Sequence, residues 1–253
     1  MAALGTASMG VHAAGPGDAS QDRWQVIVSP YIWAASLNGS TSLANYTPPV
    51  HVPFSQIFRN LDLALMGQLE LTNGKYGMFA DGEYVSTSKG LSVDGMPVDL
   101  GMRSKMLTVG GYVRAFQYAT GGDTAFGGRQ GLTVFPTFGL RWTQLQAWVD
   151  PVVGNHTANW IDPFIGVRVS FDFNDRWNLF SEADVGGFGA GSRFSANVQS
   201  YLGYRTHIFK KPTVFRIGYR VWYQDYANDK SGYENFAWKV TQHGPVVGLS
   251  MTF

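Results

Sequence analysis

The sequence predicts an all-β protein: a closed, antiparallel, up-and-down transmembrane β-barrel of about ten strands, with eight or twelve as the alternatives. Three observations carry that prediction. Alternation of apolar and polar residues, the period of a strand, recurs along most of the chain. The apolar parity is nearly free of charge, while the other parity holds carboxylates and arginines. Short turns alternate with long loops, as on the two rims of an outer-membrane barrel.

Composition agrees. The chain has 253 residues, 31 of them glycine, and only 15 % are charged, well under the quarter or so usual for soluble domains. It has no cysteine, which excludes a disulfide framework and a thiolate metal site. No apolar run is long enough for a spanning helix, a finding that says nothing against a barrel. A formal net charge of +1 gives no reason to expect nucleic acid as a partner. Residues 1–22 read as a signal-peptide remnant and linker, with 23–253 as the barrel. Val11-His12-Ala13 or His12-Ala13-Ala14 would end the signal, and the missing basic start suggests a truncated start site. A disordered leader is the alternative.

The first strand is expected over Trp24 to Ala35, with Trp24, Val26, Val28, Pro30 and Ile32 on one face; Pro30 is awkward in a central strand because it lacks an N–H. A long polar connection, 38–60, follows, with a helical turn or two over Pro53 to Leu61. The second strand, Leu61 to Thr72, is joined to the third, Tyr76 to Ser86, by Asn73-Gly74, a strong hairpin signal. After a loop over 89–101 come the fourth strand, 102–116, a glycine-rich turn, and the fifth strand, 132–146. The sixth, Trp160 to Phe173, alternates most cleanly, with Ile161, Ile165, Val167, Val169 and Phe171 set against Asp162, Arg168 and Asp172. Strands at 177–187 and 194–208 follow, then one carrying Phe215, Ile217, Tyr219 and Val221, a loop over 226–238, and a terminal strand ending on Phe253. Trp24, Phe173, Trp177, Phe209 and Phe253 are expected in an aromatic belt at the turn end, and Trp33, Trp148, Trp160, Tyr223, Tyr226 and Trp238 in one at the loop end.

WIDPFIGVR, FNDRW, ADVGGFGAGS, LGYR, IGYR, HGPVVGLSMTF and SPYIWAASLNG together resemble a broad, poorly characterised family of bacterial outer-membrane β-barrel proteins, over Trp24 to Phe253. The resemblance implies export through the periplasm, outer-membrane lipids as surroundings, and a C-terminal aromatic read by the barrel-assembly machinery, a position that Phe253 matches. It brings no catalytic motif.

If the apolar parity meets lipid, the other parity lines a lumen. That places Glu70, Asp81, Glu83, Asp162, Asp172, Glu182 and Asp184 inside, together with Arg114, Arg141, Arg168, Arg205, Arg216 and Arg220. Arginine–carboxylate pairs across the lumen would replace a hydrophobic core. The expected function is a structural barrel or a narrow passive pore for small solutes. Adhesion through outer loops is the alternative, carried by Tyr46, Tyr226, Tyr233, Phe236 and Trp238. A rim-site enzyme is the weakest reading: His51, His156, His243, Asp150 and Asp229 are expected near the outer loops, at spacings that match no triad. No cofactor, metal or catalytic residue is expected, and the glycine-rich Gly186 to Ser192 reads as a tight bend and not a phosphate cradle.

Overall fold

The computed structural model describes residues 23–43, 49–93, 96–150, 154–228 and 235–253. The leader, Tyr46, Asp229 and Tyr233 lie outside the described residues, as does the side chain of Asp150. In chain order the elements are β1 (Gln25–Trp33), β2 (Ser36–Leu43), β3 (Pro49–Val52), α1 (Phe54–Arg59), β4 (Leu61–Thr72), β5 (Tyr76–Val93), β6 (Met96–Val113) and β7 (Phe116–Asp123). They continue with β8 (Arg129–Asp150), β9 (Gly154–Asp172), β10 (Trp177–Gly186), β11 (Phe194–Ile208), β12 (Lys211–Ala227) and β13 (Phe236–Thr252). All strands belong to one antiparallel sheet, and β1 pairs with β13, so the sheet closes on itself. Along the β1–β4 and β1–β13 ladders closure removes the edges that hydrocarbon would leave unpaired.

The wall has ten strand positions, because two of them are shared. β1 leaves β13 at the pair Trp33↔Val246, and β2 resumes at Ser36↔His243. β6 leaves β8 at Tyr112↔Thr137, and β7 resumes at Phe116↔Val134. The connection expected over 38–60 therefore holds two strands as well as the helix, and the glycine-rich turn after the fourth strand holds part of the β7–β8 hairpin. The β1–β4 ladder ends at Pro30↔Gly67, where the imide supplies no N–H. Above that point β2 and β4 separate, and the short β2–β3 hairpin with α1 occupies the loop-end side.

Side chains divide by parity. Ile165 (60 % exposed), Ile217 (59 %) and Val247 (56 %) typify an outward face of bare aliphatic and aromatic groups. On β13 the apolar stretch 245–253, tilted as barrel strands are, rises roughly 20 Å, most of the ~25 Å lipid-facing band of such barrels. At the turn end, Asn73 Oδ1 accepts from the N–H groups of Lys75 (3.0 Å) and Tyr76 (2.8 Å). Asn174 repeats the device with Arg176 (2.9 Å) and Trp177 (2.8 Å). Phe209 (φ 50) and Lys210 (φ 62) form a two-residue hairpin turn in the left-handed region, the twist such turns require.

The inward face is not uniformly polar. Trp33, Met106, Trp222 and Val246 form one buried cluster, and Phe79, Tyr112, Phe135 and Phe164 another. A third, at the loop end, joins Leu37, Leu145, Trp160, Trp238 and Val240 to Val50, Val52 and Ile57 of β3 and α1. This corrects the expected loop-end aromatic belt: Trp33, Trp160 and Trp238 are 4–5 % exposed and face inward, and Tyr226 stacks on Trp160 at 4.1 Å. It equally corrects Tyr226, Phe236 and Trp238 as exposed partner-contact aromatics, since all three pack in that cluster. Each shares the parity of its inward neighbours, which sets its side chain inside whatever its aromatic character. The turn-end aromatics are exposed, from 40 % for Trp177 to 92 % for Phe209.

Candidate functional site in the barrel lumen

Inward parity brings charged residues of distant strands together, and three networks result. In the first, Arg141 of β8 donates to both oxygens of Asp184 on β10, at 3.0 and 3.1 Å. Asn197 of β11 donates to Asp184 Oδ2 at 2.9 Å and accepts from Arg220 Nε of β12 at 2.9 Å. Arg220 reaches across the lumen to pair with Glu83 of β5. Tyr31 of β1 lies 3.0 Å from both Glu83 and Asp81, so its single hydroxyl proton serves two carboxylates.

The second network centres on Arg168 of β9, which is 1 % exposed. Its Nε lies 3.1 Å from Glu182 Oε2 and its Nη1 3.5 Å from Glu70 Oε2. Neither nitrogen is aligned for a hydrogen bond, so the attraction is Coulombic. The guanidinium lies over the Phe79 ring, its Cζ 3.7 Å from the ring centre. Glu70 also accepts from the Tyr112 hydroxyl at 2.6 Å, and Glu182 from Gln199 at 3.2 Å. Gln199 in turn accepts from the Tyr201 hydroxyl at 2.8 Å.

The third network lies nearer the turn end. Arg205 of β11 donates to Asp172 Oδ1 at 2.6 Å, while Asp172 Oδ2 accepts from Gly131 N at 3.1 Å. Beneath it the tip of the β7–β8 hairpin folds inward: Phe126 is 4 % exposed, packs on Val214, and meets His207 edge-on at 5.4 Å.

The remaining expected residues are elsewhere. Asp162 takes no arginine in these networks; it is fully buried and accepts from Ser192 N (2.6 Å), Ser192 Oγ (2.8 Å) and Trp160 Nε1 (3.3 Å). It thereby clamps the glycine-rich bend, in which Gly187 (φ 87) and Gly189 (φ 78) adopt left-handed geometry. Arg114 sits half-buried at the bend between β6 and β7, on the short-turn rim, and is not part of the three networks. Arg216 faces the lumen with its guanidinium 5.3 Å from the Phe180 ring centre. Phe253 is the last outward residue of the girdle, 51 % exposed, its backbone paired with Val26. His156 lies on β9 opposite Ala147, apart from His51 and His243.

Reading charges alone missed the uncharged members of the networks: Tyr31, Tyr112, Asn197, Gln199 and Tyr201. Part of the signal lies in the pattern: Asn197 and Gln199 face Asp184 and Glu182 across one rung, and Tyr112 is two residues from Arg114, whereas Tyr31 and Tyr201 have no charged neighbour at either spacing. Between the packed layers lies a cavity of ≈ 50 Å³, lined among others by Tyr31, Gln68, Asp81, Gln199, Tyr201 and Arg216. By volume it admits roughly three to five waters.

No family model matches the chain, and no curated protein matches it. Among solved structures it is similar to Ail, the attachment invasion locus protein of Yersinia pestis, at 10 % identity and a TM-score of 0.33, covering 91 % of this chain and 98 % of that one. It is also similar to Neisserial surface protein A at 12 % identity and a TM-score of 0.31 (91 % and 97 % covered). A Pseudomonas aeruginosa FadL homologue stands at 9 % and 0.28 (91 % and 90 % covered). Likenesses this distant carry no argument. The closed wall and its lipid-type girdle carry the conclusion by themselves: the protein is an integral transmembrane β-barrel of the outer-membrane type.

Proposed function

We propose that the protein is a structural outer-membrane barrel with a closed lumen, non-catalytic and without a standing path for solutes. One observation carries this reading: the interior is packed at both ends. Trp160, Trp238, Leu145 and Val240 fill the loop end, and Phe126 with Val214 fills the turn end. Between them the arginine–carboxylate networks take the place of a hydrophobic core. Conductance of the purified barrel in planar bilayers tests it. The expected record is flat, and stable open-channel steps in the wild type would overturn the closed reading in favour of a narrow passive pore.

A specific feature favours a second role, interaction at the cell surface. The β5–β6 ladder continues to Val93↔Met96 and the β8–β9 ladder to Val149↔Gly154, well past the apolar girdle. Such hairpins present sheet surface outside the membrane. Shortening the β5–β6 hairpin tip while keeping the barrel should then abolish surface binding of a partner and leave bilayer insertion unchanged.

A further inference from the structure

Two histidines far apart in sequence are brought together on the outside of the wall. On the outward face of β13, Pro245, Val247, Leu249, Met251 and Phe253 belong to the girdle, and His243 is the first polar residue above them. Its Nδ1 lies 2.8 Å from the Tyr219 hydroxyl on β12, and its Nε2 lies 2.7 Å from Asn38 Nδ2 on β2. Asn38 Oδ1 lies 2.6 Å from His51 Nδ1. The last contact depends on β3, a four-residue strand whose register sets His51 opposite Asn38.

This is a continuous polar track, Tyr219–His243–Asn38–His51, across four neighbouring strands at the top of a surface built for hydrocarbon. Polar groups there are costly unless partnered. The track satisfies most of its own needs, but not all. Whichever way the Asn38 amide is turned, one hydrogen is left over at one end, on the Tyr219 hydroxyl or on His51 Nε2, and Asn38 keeps a second N–H. The charged and titratable groups nearest on the outward face of β12 and β13 are Tyr223 and Asp225 on β12 and Lys239 on β13. Asp225, the carboxylate among them, is engaged by Lys239 (4.0 Å) and by the Tyr223 hydroxyl (3.5 Å). The local surplus is therefore of donors.

We propose that this track seats the phosphate of an anionic lipid headgroup, with the acyl chains lying on Val247 and Ile217 below. A headgroup phosphodiester is acceptor-only, negatively charged, and found at the depth where the girdle ends. Binding by two imidazoles, an amide and a phenol gives it donors on one side and leaves its glycerol side in the lipid.

Native mass spectrometry of the full barrel released from mixed micelles tests the assignment, with phosphatidylglycerol and phosphatidylcholine as competing lipids. Wild type should retain phosphatidylglycerol preferentially. The pair Tyr219→Phe with His243→Phe should weaken that retention about tenfold, in line with losing charge-assisted hydrogen bonds. His51→Ala, on a strand outside the closed wall, should weaken it severalfold and keeps the test valid if the double variant folds poorly. Arg103→Gln with Lys105→Gln, outward cations on another face of the wall, should leave it unchanged. The proposal is overturned if H51A and Y219F/H243F retain lipid like the wild type, or if only the Arg103 and Lys105 variant loses it. Displacement of the lipid by ~10 mM inorganic phosphate would also overturn it, by showing a site for free phosphate and not for a membrane lipid.

Discussion

Replacing Arg168 with methionine removes the cation at the centre of the second network while leaving Glu70 and Glu182 buried, their side chains 8 % and 7 % exposed. Each carboxylate would retain one neutral donor, Tyr112 or Gln199. Breaking a buried pair by deleting one partner costs about 3–5 kcal/mol, chiefly because the other charge is stranded. Loss of the guanidinium from the Phe79 face adds up to ~2 kcal/mol, partly recovered by the methionine packing there. We therefore expect about 4 kcal/mol of destabilisation. Guanidinium unfolding of the vesicle-embedded barrel, followed by tryptophan fluorescence, reads this directly. At a slope of ~4 kcal/mol per molar the midpoint should fall by roughly 1 M. The triple variant R168M/E70Q/E182Q removes the stranded charges and should recover most of the loss, since neutral replacement of a buried ionic cluster is often tolerated. A single variant within ~0.5 kcal/mol of wild type, or a triple variant no better than the single, would refute a core held by paired charge.

Other outcomes follow from the girdle, the plug and the close approaches. Ile165→Lys places a charge in the apolar girdle and should cost about 2–4 kcal/mol in the same assay, whereas Gln144→Lys, nearer the loop end, should cost at most ~1 kcal/mol. Phe126→Ala should cost about 3 kcal/mol and increase water access at the turn end, seen as faster amide exchange in the residues around Val214. Gly77 lies under Tyr112, where an added Cβ would fall 2.1 Å from ring carbon Cζ. Gly77→Val should therefore displace the ring, break the hydrogen bond to Glu70 and cost about 1–3 kcal/mol, measurable against Tyr112→Phe as the reference.

The membrane-facing part of this architecture was legible because hydrocarbon enforces a strict two-residue period. β4 and β11 coincide with the expected 61–72 and 194–208, and the Asn73-Gly74 hairpin and the helix near Pro53 were written in local chemistry. The parts outside the membrane were not legible. β5, β6, β8 and β9 run well beyond their expected loop-end limits, because water solvates both faces of a projecting hairpin and alternation is no longer required there. β2 and β3 were not legible for another reason: β2, SLNGSTSL, buries one apolar side chain, Leu37, and β3 is four residues long, so neither shows a sustained alternation. The lumen charges were visible as one parity, but which arginine meets which acid depends on closure. Arg220 and Glu83, from β12 and β5, are neighbours only once the sheet is rolled. For Trp33, Trp160 and Trp238 residue type is ambiguous, because an aromatic suits both a headgroup belt and a packed interior, and only parity distinguishes the two.

Site-directed spin labelling along β9 addresses the allocation of side chains most directly, and the absence of native cysteine leaves no background thiol. Single cysteines at residues 161 to 170, labelled and reconstituted in vesicles, would be compared for collision with oxygen, which favours lipid, and with a water-soluble nickel chelate. The account predicts a two-residue period: high oxygen access at 161, 165, 167 and 169, and low access to both reagents at 162, 164, 166, 168 and 170. Chelate access at the even positions equal to that of a free loop would contradict the packed interior, and chelate access at the odd positions would contradict the membrane-spanning wall.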